Sequence, residues 1–329
     1  MKRILPFLVC LCVFSMAACK QSSGGAKAQE QTTKEPAMAA PAPGGFGKPG
    51  ELYPVLKGRK YGFINGQGKM VIEPQYAMAS RFYDDLALVI VPDKKKCGYI
   101  NREGKFEIEA KFDGGGPFSE GYASVKIKGK TGVINKKGEI VAEPVFERVG
   151  RFHDGLAAAV IEREARGIKA QDGGYINPKG IFVIHPQFDP NLTAFNDGLA
   201  GVRKIGQMWS FIDRNQKDIV PPKYFMVGQF SEGLAGAMDE GSKWGFIDKT
   251  GKYVITPKFL FVSHFSEGLA GVHTIQKKKW GFIDKTGNMV IPEQFDQIQP
   301  FEDGIAFVQR GTKAAYINKE GKYVWAPSE

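Results

Sequence analysis

The sequence predicts an all-β protein, built as a tandem array of about eight antiparallel units of about 36 residues and closed into a β-propeller-like ring. Two observations predict the array. The stretch Lys243–Lys252 returns almost letter for letter at Lys279–Asn288, one period later. The chain also has 41 glycines and 12% aromatic residues, and it lacks long helical periodicity. Eight units of short strands suit a ring, which protects strand edges. An open β-solenoid is the alternative, because no strand offset that would latch a ring is visible.

The N-terminal residues 1–18 are interpreted as a signal peptide that is cleaved before Cys19. Lys2 and Arg3 form the basic start, an apolar core follows, and small residues precede the cysteine. Residues 16–19 resemble a bacterial lipobox, which implies a lipid anchor, palmitate included, on Cys19. The protein is therefore expected in the bacterial cell envelope. Lys20 after the cysteine favours the outer membrane over the inner one.

Residues 19–46 are predicted to be the lipidated cysteine and a disordered tether, and residues 47–329 the repeat domain. Between Lys20 and Gly45 there is no aromatic or branched aliphatic side chain to bury. Loss of the signal would lower the formal charge from +10 to +8, so the mature chain stays basic and anionic envelope partners are plausible. Cys10 and Cys12 would leave with the signal and Cys19 would carry the lipid, so Cys97 would be the one remaining thiol, which cannot form an internal disulfide.

A four-residue motif can be followed through eight copies, each followed by Asn or Asp. The copies begin at Tyr61, Cys97, Thr131, Gly173, Trp209, Trp244, Trp280 and Ala314. The pairs Trp244-Gly245 and Trp280-Gly281 are the most complete. From about Tyr53 to Trp325 the chain resembles the WG-repeat family of bacterial proteins, named for the Trp-Gly pair. The resemblance implies a β-repeat architecture and little defined chemistry.

Each unit is expected to contain three or four antiparallel strands. In the unit around Trp280, the turn Asp284–Gly287 is typical of a hairpin, and Pro292 is expected to end ladder pairing. A short extended piece, Phe295 to Phe301, would complete the unit. A second motif, Phe-x-acidic-Gly, is interpreted as the turn between units, with its glycine at positive φ, its phenylalanine in the core and its acidic residue in solvent. Asp85 in place of the first glycine predicts a relaxed turn.

The most distinctive surface chemistry lies at the hairpin tips that precede the motif. Candidate partner-binding residues are Lys94, Lys95, Lys96, Arg163, Arg166, Lys169, Lys277, Lys278 and Lys279. With an even number of strands per unit, these tips lie opposite the acidic turns. Loops on a rigid scaffold commonly bind partners, but solvated lysines that keep strand edges from aggregating are the structural alternative.

Other candidate sites are interpreted as structural. Trp209, Trp244 and Trp280 are expected to fill the core, with a partly exposed sugar-stacking platform as the alternative. The four histidines occupy different phases of the repeat and are not expected to converge. Neither metal-ligand spacing nor a catalytic grouping is recognisable, so the sequence predicts a non-enzymatic scaffold without metal or cofactor. Its partner would be an envelope protein or, as the alternative, a glycan such as peptidoglycan; the export signal disfavours nucleic acid.

Overall fold

The computed structural model describes residues 45–165 and 167–325, and over these residues its regular structure is β-strand alone. Eight antiparallel sheets follow one another along the chain, one per repeat, as the blades of a β-propeller. The predicted all-β array and its closed ring are confirmed. Cys19, the signal peptide and nearly all of the tether lie outside the described residues, as does Arg166. Within the described part, no helix is long and apolar enough to cross a membrane.

The strands are assigned to blades in chain order. Blade 1 contains β1 (Leu52–Lys57), β2 (Lys60–Asn65) and β3 (Met70–Tyr76); blade 2 contains β4 (Met78–Tyr83), β5 (Leu86–Val91), β6 (Lys96–Ile100) and β7 (Phe106–Phe112); blade 3 contains β8 (Gly114–Gly115), β9 (Tyr122–Ile127), β10 (Lys130–Asn135) and β11 (Ile140–Phe146); blade 4 contains β12 (Arg148–Val149), β13 (Ala157–Ala165), β14 (Ile168–Ile176) and β15 (Phe182–Phe188). Blade 5 contains β16 (Ala200–Val202), β17 (Trp209–Ile212) and β18 (Asp218–Tyr224); blade 6 contains β19 (Met226–Ser231), β20 (Leu234–Met238), β21 (Trp244–Ile247) and β22 (Tyr253–Phe259); blade 7 contains β23 (Phe261–Ser266), β24 (Leu269–His273), β25 (Trp280–Ile283) and β26 (Met289–Phe295); blade 8 contains β27 (Gln297–Ile298), β28 (Ile305–Arg310), β29 (Lys313–Asn318) and β30 (Tyr323–Trp325).

The Phe-x-acidic-Gly motif lies inside a blade, so its interpretation as the turn between units is wrong. It joins the first and second strands of one sheet, as the pairing of Ser266 with Leu269 shows. The acidic residue and the following residue both have positive φ, for example 53° at Glu267 and 87° at Gly268. This combination is typical of a two-residue hairpin whose twist matches that of the strands. The extended piece after Phe295 is therefore the first strand of the next blade.

The acidic residues of these turns connect adjacent blades, which corrects the expectation that they are merely solvated. Each carboxylate accepts a hydrogen bond from the backbone N–H of the residue after the acidic residue in the next blade's turn. The pairs are Asp84 with Gly121 (2.7 Å), Glu120 with Gly155 (2.8 Å), Asp154 with Gly198 (3.2 Å), Asp197 with Gly233 (2.7 Å), Glu232 with Gly268 (3.1 Å) and Glu267 with Gly304 (3.0 Å). Asp85, at φ 69°, keeps the same turn shape, so the relaxed turn expected there is not found.

A lysine of the turn between the third and fourth strands reinforces several of these links. The Lys285 ammonium of blade 7 lies 3.0 Å from a carboxylate oxygen of Glu232, and Lys319 of blade 8 lies 3.0 Å from Glu267. Burial alone would raise the pKa of Glu232, but Lys285 and the Gly268 amide outweigh it and hold that pKa below its ordinary value. The acidic turns thus form a chain of contacts from blade to blade.

Replacement of Asp197 by alanine is expected to lower the free energy of unfolding by about 1–3 kcal/mol, because it removes a charged acceptor and leaves a Cβ residue at positive φ. Asparagine keeps an acceptor and tolerates the conformation, so Asp197→Asn should cost less than about 1 kcal/mol. Asp197→Gly relieves the backbone but loses the bond and should fall between the two. Urea unfolding of the three variants measures this order; equal values for alanine and asparagine would contradict the link.

The glycine of the Trp-Gly pair allows the fourth strand to approach closely, as expected. A Cβ on Gly245 would collide with the carbonyl oxygen of Ile255, and one on Gly281 would lie 2.6 Å from that of Ile291. At this point the register shifts, since Trp280 faces Phe295 whereas Phe282 faces Ile291. Pro292 lies within this irregular part of β26, so the strand continues beyond it. The expectation that Pro292 ends the strand is wrong, because a bulge needs no N–H there.

The core lies between neighbouring blades. The phenylalanine of each Phe-x-acidic-Gly motif is buried and contacts an aromatic ring of the preceding blade, as Phe265 does with Phe246 at 4.8 Å between ring centroids. Equivalent contacts join Tyr99 to Phe118, Tyr175 to Phe195, Phe211 to Phe230 and Phe282 to Phe301. These phenylalanines pack between units, as predicted. Each blade therefore depends on its neighbours for burial of its apolar faces.

The ring closes without exchange of a strand between its ends. Blade 1 has no first strand, and β1 contains Pro54, which suits an edge strand because proline cannot donate a ladder hydrogen bond. The Tyr316 hydroxyl of blade 8 donates to the Pro54 carbonyl at 3.0 Å. Phe46 and Tyr53 pack with Tyr316 in one buried cluster. Phe46, predicted to end the tether, is thus part of the folded domain.

The alternating directions of the strands in each blade give the ring two different faces. The turn face carries the acidic turns and the turns between third and fourth strands. The tip face carries the hairpin tips between second and third strands and the connections between blades. Because successive strands run in opposite directions, the basic tips and the acidic turns lie on opposite faces, as predicted.

Candidate functional site on the tip face

The predicted basic residues are spread over three separate parts of the tip face. Lys94, Lys95 and Lys96 lie at the tip of blade 2, and Lys277, Lys278 and Lys279 at the tip of blade 7. Arg163 and Lys169 lie on the long hairpin of blade 4, whose ladder runs in register to Ala165 and Ile168. Blades 2, 4 and 7 are not neighbours, so the ring does not gather these residues into one patch. The extra length of blade 4 is paired strand and not a loop.

Most of these side chains are already ion-paired. Lys96 pairs with Asp113, Lys279 with Asp296, Arg163 with Asp172, Lys277 with Glu293 at 3.1 Å and Lys169 with Glu162 at 2.9 Å. The lysines hold the pKa values of Asp113 and Asp296 below their ordinary range. Lys94, Lys95 and Lys278 are exposed and have no carboxylate within ion-pair distance in the part of the chain that the structure describes. These three keep an uncompensated charge.

Blades 6 and 7 carry two rows of apolar and aromatic side chains on the tip face. In blade 7, Phe261, His273 and Trp280 lie side by side on the first three strands, with ring centroids 5.9 Å and 5.4 Å apart. In the connection that leads into blade 6, the Phe225 amide donates to the Met238 carbonyl of that blade, and Met238 faces Trp244 across the ladder. Phe225 is 49% exposed and Phe261 is 57% exposed. We call Phe225, Trp244, Phe261, His273 and Trp280 the aromatic patch.

The three tryptophans differ in exposure. Trp209 is only 5% exposed, and the Arg203 guanidinium lies 5.5 Å from its ring centre. Trp244 and Trp280 are half-buried against the core, so each keeps part of its ring at the surface. The rim of the patch carries Lys243 and Lys278, both exposed.

Sequence reasoning missed Phe225 and Phe261, although comparison of the repeats contains a signal for this region. The last strands of blades 1 to 7 end on an aromatic residue, and one position follows it directly. In four blades the residue at this position is acidic and forms an ion pair with a basic side chain. The residues at this position are Ala77, Asp113, Glu147, Asp189, Phe225, Leu260 and Asp296. The position is apolar after blades 1, 5 and 6, and it is large only after blades 5 and 6, where it is Phe225 and Leu260. Large apolar residues therefore replace the ion pair where the aromatic patch begins.

Two of the four histidines interact electrostatically, because a charge on His153 of blade 4 lowers the pKa of His264 of blade 7. His153 follows Phe152 and His264 precedes Phe265 in their acidic turns, so both lie toward the centre of the turn face. His185 lies on β15, and His273 belongs to the aromatic patch. Among the described residues, no three His, Cys, Asp or Glu side chains are grouped to hold a metal ion. Cys97 is buried, and burial raises the pKa of its thiol to about 11.

Comparison with known families gives one match over most of the repeat domain. The model of a family described as "WG containing repeat" matches residues 61–94, 98–130, 132–162, 174–206, 209–242, 244–272 and 280–313. Together these stretches cover more than half of the chain. A search of curated proteins found no match.

Solved structures with a similar fold have low sequence identity. The crystal structure of a eukaryotic initiation factor has a TM-score of 0.56 at 8% identity, covering 86% of each chain. The computationally designed Ika8 protein has a TM-score of 0.49 at 10% identity, covering 86% of this chain and 98% of its own. BamB from Moraxella catarrhalis has a TM-score of 0.47 at 7% identity, covering 82% of this chain and 94% of its own. The first of these likenesses supports the fold and nothing more.

Proposed function

The chain belongs to the WG-containing repeat family, and from that premise we propose that it is a non-enzymatic β-propeller scaffold of the bacterial envelope. It is tethered by a lipid on Cys19, in the outer membrane by preference, and it binds another envelope protein on its tip face. The observation that carries the proposal is the aromatic patch, where two large apolar side chains are half exposed on adjacent blades. Large exposed aromatic side chains with partial support from the core are typical of binding hot spots.

The described chain begins on the turn face. Phe46 lies near its start, and the Phe46 amide donates to the Gly66 carbonyl at 2.6 Å. Gly66 follows β2 in the turn to β3, on the turn face, whereas the tip of blade 1 lies at the other end of β2. The first described residues therefore leave the tip face uncovered, which supports the tip face as the binding surface.

The charges around the patch define the partner's chemistry. Lys278 has no ion pair among the described side chains, and Lys243 follows Asp239 and Glu240 in its own tip. The rim therefore carries exposed charges of both signs. Lys94 and Lys95 add basic charge further around the same face. A protein surface with apolar side chains at its centre and carboxylates around them would be complementary. Such rim charges contribute mainly to the rate of association and its salt dependence.

The test is capture of partners from solubilised envelopes by the mature chain and by Phe225→Ser/Phe261→Ser. A hot-spot aromatic contributes about 2 kcal/mol or more, so the double variant should weaken capture by about 30-fold or more. Val183→Ser/Val254→Ser is the matched control, since both valines are exposed near the start of fourth strands, at the end toward the turn face. It should retain the partner. Identical partners and affinities for the wild type and the phenylalanine variant would remove the assigned surface.

Two further variants separate the remaining parts of the proposal. Neutralisation of Lys94, Lys95 and Lys278 to glutamine should slow association and reduce its dependence on salt. Cys19→Ala should abolish palmitate labelling and release the protein from the membrane fraction. Unchanged labelling would contradict the lipid anchor and would leave the proposed binding surface unaffected.

Binding of carbohydrate, peptidoglycan included, is a second candidate, favoured by the exposed parts of Trp244 and Trp280. Aromatic rings with one free edge can stack on sugars. Tryptophan fluorescence distinguishes the two candidates, because a soluble glycan on the patch would quench and shift the emission. Tryptophan emission that does not respond to glycan fragments would contradict carbohydrate binding and favour the protein partner.

A further inference from the structure

A cluster of polar side chains lies at the axis of the ring on the turn face, which is the face opposite the aromatic patch. It consists of side chains on either side of the buried phenylalanine in the acidic turns: Arg81, Tyr83, Arg151, His153, His264 and Glu302. Tyr83 of blade 2 donates to Glu302 of blade 8 at 3.1 Å. The Arg151 guanidinium of blade 4 lies 4.3 Å from the centre of the Tyr83 ring. Blades that are not neighbours in a ring approach one another only at its axis, so these contacts place the cluster there.

The charges of this cluster are unevenly compensated. Arg81 pairs with both Glu302 and Asp303, at 3.4 Å and 2.7 Å. Arg151 has no carboxylate partner among the described residues. Its Nη2 donates a long hydrogen bond of 3.5 Å to the Phe118 carbonyl, and its Nε is buried without a hydrogen-bond partner. A buried guanidinium N–H without an acceptor is costly. Arg151 therefore has unused capacity to bind an acceptor.

The two histidines of this cluster, His153 and His264, are also without protein hydrogen bonds in the described part of the chain. At the position of His153, three other blades have a serine, namely Ser119, Ser231 and Ser266, whose hydroxyls donate to the next blade's phenylalanine carbonyl. The imidazoles of His153 and His264 make no such bond within the described part of the chain. Both keep donor nitrogens available at the axis.

The carboxylates near these histidines are already engaged in the links between blades. Glu120 and Asp154, the acidic neighbours of His153, accept from the amides of the following turns. Glu232, the acidic neighbour of His264, accepts from the Gly268 amide and pairs with Lys285. Burial lowers the pKa of both histidines; Arg151 lowers that of His153 further, and His153 that of His264. The site is thus rich in donors, and its acceptors are used elsewhere.

We propose that Arg151, His153 and His264 form a binding site for a small oxyanion, a carboxylate or a phosphate, at the axis of the ring on its turn face. The guanidinium supplies paired N–H donors that match the geometry of either anion, and the two imidazoles supply one N–H each. Protonation of an imidazole adds a positive charge beside the anion. Affinity therefore rises as the pH falls through the pKa values of the two histidines, and the bound anion raises those pKa values in turn.

The experiment is an NMR titration of the histidine side chains of the mature chain with inorganic phosphate and, separately, with acetate, at ionic strength held constant with sodium chloride. His153 and His264 should shift and gain a higher pKa, whereas His185 and His273 serve as internal references. Phosphate and acetate together identify which oxyanion is preferred. Arg151→Gln should weaken binding by about tenfold, because it removes the charge-assisted bonds.

Two variants keep the proposal falsifiable if Arg151→Gln alters the fold. His264→Asn should weaken anion binding and leave His153 with a smaller pH-dependent response. Arg203→Gln, on the tip face, should leave the titration unchanged. An equal response of all four histidines, no response of His153 and His264, or wild-type binding by both Arg151→Gln and His264→Asn would overturn the site.

Discussion

Replacement of Tyr316 by alanine is expected to lower the free energy of unfolding by about 3–5 kcal/mol, the range for truncation of a buried aromatic side chain. Tyr316 is 2% exposed. Its ring lies 5.7 Å from that of Tyr53 and 6.1 Å from that of Trp325, measured between centroids. The variant leaves a cavity at the point where the last blade meets the first. Chemical unfolding measures the loss.

The same variant should open the ring at one place. No strand is shared between blades 1 and 8, so their junction depends on side chains such as Tyr316 and Phe46. Hydrogen exchange should therefore accelerate in β1 and in β28–β29 before it does elsewhere. Tyr175→Ala is the matched control, because Tyr175 is equally buried and donates to the Thr193 carbonyl at 2.8 Å, but between two internal blades. Its effect should stay at blades 4 and 5.

Tyr316→Phe isolates the hydroxyl. It retains the ring and removes only the bond to the Pro54 carbonyl, so it should cost about 1 kcal/mol. Exchange in β1 that is unchanged by Tyr316→Ala would show that the closure depends on other contacts.

The repeat pattern was sufficient to predict the architecture, because its signals are local. Gly245 must allow a close backbone approach, and Gly268 must adopt positive φ; both demands act within a few residues of the chain. The even number of strands then fixes which face each turn occupies. This is why the opposition of basic tips and acidic turns follows from the sequence alone.

What the sequence did not reveal depends on contacts between distant repeats. Glu232 resembles a solvated turn residue until its bond to Gly268 in the next blade is seen. His153 and His264 stand on opposite sides of their phenylalanines, so they seemed unrelated by phase; the ring brings both positions to its axis. The boundary between blades also depends on such contacts. Phe265 lies on β23, which pairs with β24 and not with the strand that precedes it in the chain.

The candidate surface shows a similar division. The lysine-rich tips were recognisable as surface, but their ion pairs were not, because Asp113 and Asp296 lie in connections between blades, 17 residues after Lys96 and Lys279. Phe225 lies in a connection between blades, where an apolar residue reads as core. Its exposure becomes visible only when the blades are placed side by side.

Replacement of Arg81 by methionine should cost about 2–4 kcal/mol and should loosen the same junction from its inner side. Arg81 belongs to blade 2, yet it reaches blade 8, because blade 1 lacks the strand that would stand between them. Its guanidinium binds Asp303 at 2.7 Å and the Glu302 carbonyl at 3.3 Å. Removal of one partner from a buried ion pair costs about 3–5 kcal/mol, and the partial exposure of Glu302 and Asp303 reduces that value.

The acidic partners define how the loss depends on charge. Asp303 is the acidic turn residue of blade 8. In the other linked turns this residue accepts a hydrogen bond from a backbone N–H of the next blade's acidic turn, but blade 1 has no such turn. Arg81 takes the place of that backbone donor. Arg81→Lys keeps the charge but not the forked geometry, and it should recover less than half of the loss. Arg203→Met, which removes the pair with Asp189 away from the junction, should cost about 1 kcal/mol or less. If Arg81→Met and Arg203→Met lose equal stability, and β1 exchanges at the wild-type rate in both, Arg81 does not close the ring. If Arg81→Met alone accelerates exchange in β1 and β28, one arginine substitutes for the strand that other propellers use as a latch.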